Sequence, residues 1–317
     1  MPSLETLTAK EFTLVGLSNT SELQLLFFFV FLSVYIVTLS GNVFIILAYT
    51  FSPALHTPMY FFLANFSILE IGYVTSTTPK MLSLFFIDWN PECNKISLPE
   101  CVIQLFCSLL LGGTEFYILA AMAYDRYNAI CHPLLYISIM NRRTCIQLIT
   151  ISYLIGIGNS LINSALTFSL PYCRSKVINS FFCDVPALLK LSCTDTKANE
   201  AVIFVIGGGM TIGSLLLIST SYIRILSAIL NIHSASGRKK AFSTCTSHLI
   251  VVTLFYGSVF FMYLKPKSRY ADEDKVVSIV YTIVAPFLNP FIYSLRNNEV
   301  KIAVRKIVYN KIVVRKY

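Results

Sequence analysis

Charged side chains are scarce in this sequence. Asp, Glu, Lys and Arg make up only 13% of its 317 residues, whereas hydrophobic residues make up 55%. A typical soluble domain carries about 25% charged residues. Because a single soluble core stops growing near about 250–300 residues, a water-soluble fold of this length cannot bury so much apolar surface. The composition therefore excludes an ordinary soluble protein and indicates that lipid is the solvent.

Several motifs are missing as well. The nine cysteines include no CxxC pair, which excludes a zinc ribbon and a thioredoxin-like redox motif. No nucleophile and base stand out together, so an enzyme is not predicted. The polar N-terminus has no basic segment followed by a short apolar core, so we expect no cleavable signal peptide. The first apolar stretch would then act as a signal-anchor.

Seven apolar stretches are long enough to cross a bilayer, which takes about 20 residues of helix. They are Leu25–Phe51, Met59–Phe86, Leu98–Tyr127, Thr144–Phe168, Asn199–Leu230, Ala241–Leu264 and Val276–Leu295. The predicted fold class is an all-α membrane protein. A seven-helix transmembrane bundle occupies residues 25–295, between an extracellular N-terminus at residues 1–24 and a cytoplasmic tail at residues 296–317.

The distribution of charge sets the orientation of these spans. With the N-terminus outside, the cytoplasmic side holds 14 basic and two acidic residues, whereas the outer side holds 11 basic and 12 acidic residues. This asymmetry agrees with the positive-inside rule. Anionic lipid and an intracellular partner, rather than nucleic acid, account for the high pI. Residues 297–316 alternate basic and apolar side chains, which favours a short amphipathic helix on the inner leaflet over a solvated basic tail.

Several strings of residues occur in a fixed order along the chain. They are PMYFFL at 58–63, MAYDRY at 122–127, AICHPL at 129–134, KAFSTC at 240–245 and PFLNPFIYSLRN at 286–297. Together they resemble the odorant-receptor branch of the rhodopsin-like (class A) G-protein-coupled receptors, over essentially the whole chain. FYG at 255–257 and YLKP at 263–266 favour the tetrapod class II branch. Two residues depart from the usual pattern: Asn128, where Val is usual, and Phe116, where Cys is common.

The resemblance implies an odorant receptor that activates a stimulatory olfactory G protein and raises cyclic AMP. It also implies a multi-pass protein of the plasma membrane, in the cilia of olfactory sensory neurons. Arg126 would be held by Asp125 in the inactive state and released toward the G protein when the sixth span moves. The alternative is that Arg126 only anchors its helix at the lipid headgroups. The residues implied in coupling are Asp125, Arg126, Tyr127, Tyr222, Asn289, Pro290 and Tyr293.

A pocket for small volatile molecules is implied between the third, fifth, sixth and seventh spans, near their outer ends. Its small residues are also suited to close helix packing, so each position alone has two interpretations. No carboxylate occurs in this part of the third span, which argues against a biogenic-amine receptor. The implied ligand-binding residues are Ser108, Leu109, Gly112, Gly113, Ile206, Gly207, Met210, Tyr256, Val259, Phe260, Tyr263, Ile279 and Thr282.

Glu70 and Glu115 are carboxylic acids within apolar spans, where an unpaired charge is costly. The resemblance implies a sodium ion between them and no other cofactor. The alternatives are a shared proton or ordinary interior polar groups. A transporter or channel is the rival function, but these two residues are the only acidic ones in the middle of the spans, and no internal repeat is evident.

Cysteines and one sequon occur in the outer segments. The resemblance implies disulfides between Cys101 and Cys183 and between Cys173 and Cys193, although four cysteines permit three pairings. Ser180 stands where the family often has a histidine linked with metal, so we expect no copper requirement. Asn19 lies in an N-x-S/T glycosylation sequon, but its closeness to the first span opposes modification.

Overall fold

Seven long helices run through the computed structural model, which describes residues 10–15, 21–86, 90–173, 175–264 and 278–295. Each contains or overlaps one predicted span. They are α1 Ser21–Phe51, α2 Pro58–Ser83, α3 Leu98–Cys131, α4 Arg142–Phe168, α5 Lys197–Leu230, α6 Ala235–Leu264 and α7 Ala285–Leu295. A π-helical turn, Val280–Val284, leads into α7. The predicted helix at residues 296–317 and the sequon at Asn19 lie outside the described residues.

Five of these helices have described segments that are long and apolar enough to cross a membrane: α1, α3, α4, α5 and α6. The helix α2 contains Glu70, Lys80 and several Thr and Ser residues, and the start of the seventh predicted span lies outside the described residues. The helix α6 begins at Ala235, before the predicted Ala241, because its first turns are polar and continue the helix beyond the apolar region.

Helix caps explain where two central helices begin. The Ser97 hydroxyl accepts a hydrogen bond from the Glu100 amide, and the Glu100 carboxylate accepts one from the Ser97 amide at 2.8 Å, which forms a capping box at the start of α3. The Asn141 side chain accepts a bond from the Thr144 amide at 3.0 Å and caps α4. These caps satisfy backbone donors that the first helical turn leaves unpaired.

The helix α3 is central: it packs against α2, α4, α5 and α6, while α1 packs against α2 and α7. Glycine permits the closest approaches. A Cβ on Gly156 of α4 would lie 2.2 Å from the Thr114 hydroxyl of α3, and a Cβ on Gly41 of α1 would lie 2.8 Å from Pro290 Cβ of α7. Both distances are shorter than van der Waals contact, so these helix pairs require glycine.

A three-stranded sheet lies at one end of the bundle, in the order β2-β1-β3. The N-terminal strand β1, Glu11–Leu14, pairs antiparallel with β2, Lys95–Ser97, and parallel with β3, Val177–Ile178. Its Phe12 and Leu14 side chains are buried. They belong to the outer cluster, a hydrophobic group that includes Met81, Leu105, Phe181 and Leu188. The main cluster fills the rest of the bundle and includes Phe62, Ile118, Tyr222 and Tyr293.

Candidate functional site

Two disulfides and one glutamine hold the long loop after α4 against the bundle. Cys101 of α3 is bonded to Cys183, and Cys173 is bonded to Cys193, as the resemblance implied. Gln104 strengthens the first link. Its carbonyl accepts a hydrogen bond from the Cys183 amide at 2.9 Å, and its NH₂ group donates to the Ser76 carbonyl of α2 at 3.0 Å. The loop is therefore fixed to both α2 and α3. This role of Gln104 is not predictable from its sequence context.

The residues of the implied pocket lie at the boundary between the two hydrophobic clusters. Leu109 and Ile279 pack against the outer cluster, whereas Val259 and Phe260 pack against the main cluster, to which Tyr256 belongs. The buried members are Gly113, Met210, Tyr256 and Thr282; the half-buried members are Ser108, Leu109, Gly112, Ile206, Gly207, Val259, Phe260 and Ile279. The Tyr263 side chain lies outside the described part of the structure.

The two glycines of this set on α3 differ in their surroundings. A Cβ on Gly113 would lie 3.1 Å from the Asn159 amide nitrogen of α4 and 3.3 Å from the Met210 methyl of α5. A Cβ on Gly112 would meet only the Tyr73 ring of α2, at 3.8 Å. Gly113 is thus a helix-packing position at the junction of three helices, while Gly112 leaves more room.

An aromatic group closes the inner side of this boundary. The Phe116 ring of α3 lies edge-on to Phe255 and Tyr256 of α6, with ring centroids 4.8 and 5.5 Å apart. The Tyr256 hydroxyl donates a 2.7 Å hydrogen bond to Ser214 of α5. Phe116 is the residue that departs from the usual cysteine, and its larger ring fills space between α3 and α6.

Buried oxygens surround Glu70 in the middle of the bundle. The Asn289 amide of α7 donates a hydrogen bond to the Glu70 carboxylate. Within the described residues, Glu70 Oε2, Asn289 Oδ1 and the Ser67 hydroxyl have no hydrogen-bond partner. Glu115 of α3 is close enough to Glu70 to interact electrostatically. Unpartnered buried oxygens are rare in folded proteins, so this group is suited to a cation or a proton.

At the end of the bundle opposite the sheet, Asp125 is bound by a tyrosine rather than by the neighbouring arginine. The Tyr136 hydroxyl, in a short helix at Tyr136–Ile139, donates a 2.8 Å hydrogen bond to the Asp125 carboxylate. Burial and the Asp125 charge raise the pKa of Tyr136 far above its usual value, so the phenol remains a donor. The ion pairs of the described residues do not include Asp125 with Arg126. Arg126 is buried and interacts electrostatically with Tyr222 and other groups.

A histidine links three helices beside Arg126. The Tyr222 hydroxyl of α5 lies 2.8 Å from His248 Nδ1 of α6, and His248 Nε2 lies 3.1 Å from the Leu119 carbonyl of α3. A carbonyl only accepts hydrogen bonds, so Nε2 carries the proton and Nδ1 accepts from Tyr222. His248 is buried. This role of His248 is not predictable from the sequence, because both partners are distant along the chain.

The sequence profile of the Olfactory receptor family matches residues 31–311. Olfactory receptor 8U1 of Homo sapiens is 48% identical over 304 residues, which cover 96% of this chain and 97% of that protein. Olfactory receptor 5AP2 of Mus musculus is also 48% identical over 304 residues, covering 96% of this chain and 95% of that protein. The chain belongs to the olfactory receptor family. It is accordingly a multi-pass membrane receptor and not an enzyme.

The fold of this olfactory receptor is that of the rhodopsin-like receptors. Squid rhodopsin superposes with a TM-score of 0.67, at 17% sequence identity, over 86% of this chain and 81% of that chain. The predicted seven-helix class is therefore confirmed.

Asn128 forms a hydrogen bond within α3: its buried amide donates to the Tyr124 carbonyl one turn earlier in the helix, at 2.8 Å. Its polar group is satisfied within its own helix.

Proposed function

We propose that this olfactory receptor binds a small, mainly apolar volatile molecule at the boundary of the two clusters and activates a stimulatory G protein, raising cyclic AMP. One observation carries the proposal. Residues from α3, α5, α6 and the segment that leads into α7 converge where the outer cluster ends, beside a Tyr256–Ser214 hydrogen bond that joins α5 to α6. A ligand there contacts both helices whose relative position must change on activation.

The path from ligand to G protein runs along α6. Tyr256 lies at the ligand end of this path. His248 lies about two turns away on the same helix and binds α3 and α5. A ligand that favours a shifted α6 weakens the His248 bond to the Leu119 carbonyl. The neighbouring Arg126 then becomes available to the G protein. Only differential affinity for the two arrangements of α6 drives this change.

Recognition is expected to be weak and broad. A ligand of about ten to fifteen heavy atoms, at about 0.3–0.5 kcal/mol per atom, gains about 3–7 kcal/mol. This corresponds to dissociation constants from about millimolar to about 10 µM. Polar groups are few at the boundary, so shape and volume set by Phe116 and Tyr256 decide which molecules bind.

We propose in addition that a sodium ion binds beside Glu70. The oxygens without partners on Ser67, Glu70 and Asn289 are the ligand type that hard cations take. When bound, the ion neutralises carboxylate charge inside the bundle. Thermal unfolding in sodium chloride and in choline chloride tests this: wild type should unfold at a higher temperature in sodium, and Glu70→Gln should show no difference. Equal unfolding of wild type in both salts would favour a shared proton instead.

Orientation and location complete the proposal: the receptor is in the plasma membrane, with its N-terminus outside, and in olfactory cilia. The N-terminal strand β1 lies at the same end as the Cys101–Cys183 and Cys173–Cys193 bonds. Disulfides persist on the oxidising, extracellular side of a cell. This supports an extracellular N-terminus.

The experiment that tests the receptor function is a cyclic AMP assay with a library of volatile molecules. Wild type, Arg126→Ala and Arg142→Ala are expressed with an olfactory G protein and a trafficking helper. Surface staining measures the amount of each receptor at the cell surface, and the responses are normalised to it. We expect a dose-dependent response in wild type and Arg142→Ala, and none in Arg126→Ala. An equal response in Arg126→Ala contradicts its role in coupling. Silence of surface-expressed wild type contradicts detection of the volatile classes tested.

A further inference from the structure

One face of α4 combines charge, polar groups and apolar groups in the order in which a phospholipid presents them. Arg143 is exposed at the start of the helix, and Gln147, Thr150 and Ile151 follow it at helical spacing. Ile146, Gln147, Thr150 and Ile151 line a shallow, open groove on this face. The groove faces away from the bundle, where hydrocarbon surrounds a membrane helix.

Gln147 and Thr150 have no side-chain hydrogen-bond partner within the described residues. Two other hydroxyls on exposed helix faces are satisfied by their own helix: Ser33 donates to the Phe29 carbonyl at 2.7 Å and Thr50 to the Ile46 carbonyl at 2.8 Å. A polar group left unpaired in hydrocarbon costs several kcal/mol. Gln147 and Thr150 are therefore suited to a partner that brings hydrogen-bond acceptors to this face of α4.

We propose that this groove binds an anionic glycerophospholipid of the inner leaflet. The Arg143 guanidinium leans toward the start of the helix, as helical side chains do, and meets the phosphate at the headgroup level. Gln147 and Thr150 lie about 6 and 10 Å deeper and donate to the ester carbonyls. Ile146 and Ile151 contact the upper part of an acyl chain. The proposal rests on the proposed orientation, which puts the start of α4 at the inner leaflet, but not on the odorant or on G-protein coupling.

Charge complementarity selects this occupant over a second copy of the receptor. A symmetric pair of α4 faces would bring two Arg143 side chains together, and like charges repel, whereas a phosphate offsets the charge. Arg142 provides a matched control. It is exposed and adjacent, but lies about 100° around the helix from Arg143 and interacts electrostatically with Tyr49 of α1.

Native mass spectrometry of the full-length receptor tests the site. Phosphatidylserine and phosphatidylcholine with identical acyl chains are added to wild type, Arg143→Gln and Arg142→Gln. We expect phosphatidylserine to be retained by wild type and Arg142→Gln, and to bind Arg143→Gln about five-fold more weakly. Equal retention by all three proteins overturns the proposal, and so does equal loss in both variants. A receptor dimer that disappears in Arg143→Gln also overturns it, in favour of a second copy.

Two further measurements test the deeper part of the groove. Gln147→Leu should weaken retention of phosphatidylserine and phosphatidylcholine alike, because both carry the same ester carbonyls; a loss confined to phosphatidylserine contradicts this contact. Glycerophosphoserine, the headgroup without chains, should not displace the lipid. Displacement by this soluble compound would mean that the groove contributes nothing to binding. Circular dichroism of each variant establishes that the helices are intact.

Discussion

The link through His248 is the feature whose removal has the clearest functional consequence. His248 joins α6 to the Tyr222 hydroxyl of α5 and to the Leu119 carbonyl of α3. His248→Leu places an apolar side chain in this buried position and removes both hydrogen bonds. We expect the variant to signal without ligand, because the arrangement that keeps Arg126 inside the bundle loses its connection between three helices.

The expected magnitude follows from the two bonds. Each neutral buried hydrogen bond contributes about 0.5–1.5 kcal/mol, so their loss weakens this arrangement by about 1–3 kcal/mol. A shift of this size changes the ratio of active to inactive receptor about 5- to 150-fold. If wild type is active in a small fraction of molecules, the variant becomes active in a much larger fraction.

Basal cyclic AMP, normalised to surface receptor, measures this shift. His233→Leu is the matched control, since His233 is an exposed histidine just before α6 and its loss should leave basal signalling unchanged. If His248→Leu reaches the surface and its basal signal equals that of wild type, the link does not restrain α6. A rise of equal size in His233→Leu would also refute the reasoning, because the effect would then not depend on the buried bonds.

Three other substitutions probe packing. Gly41→Ala should destabilise the receptor by about 1–3 kcal/mol, because its Cβ would overlap with Pro290, whereas Gly158→Ala, with open space around it, should be neutral in a thermal unfolding assay. Gln104→Leu leaves the buried Cys183 amide unpaired and should lower the free energy of unfolding by about 1–3 kcal/mol in the same assay. An unchanged unfolding temperature would contradict the role of Gln104 in holding the loop against α2 and α3. Phe116→Ala removes a ring from the aromatic group and should cost about 3–5 kcal/mol while extending the cyclic AMP response to bulkier odorants; an unchanged ligand range would place Phe116 outside the pocket.

The seven spans were predictable because the signal for each is a long apolar run, which the bilayer requires whatever the tertiary contacts. Their ends were less predictable. Apolar length reports only the part of a helix in hydrocarbon, so the polar first turns of α6 from Ala235 escaped it. The strands at the outer end contain four, three and two residues, too few for an alternating pattern to stand out.

For the candidate site as well, part was predictable from the sequence and part was not. Residue types drew attention to Glu70 and Arg126, since charge in an apolar span is conspicuous in any sequence. The hydrogen-bond partners of such residues could not be predicted from the sequence. The bonds of Tyr136 to Asp125 and of Tyr222 to His248 depend on how separate helices meet. Gly113 illustrates the limit for the pocket, because its contacts with α4 and α5 distinguish packing from ligand contact only in three dimensions.

The central position of β1 has a consequence for the order in which the receptor is made. The strand Glu11–Leu14 leaves the ribosome first, yet its parallel partner Val177–Ile178 follows about 10–30 s later at about 5–20 residues per second. Until then Phe12 and Leu14, which are fully buried in the finished receptor, lack part of their cover. Closure of the sheet therefore waits for the loop after α4, and chaperones that bind exposed apolar strands have until then to retain the chain.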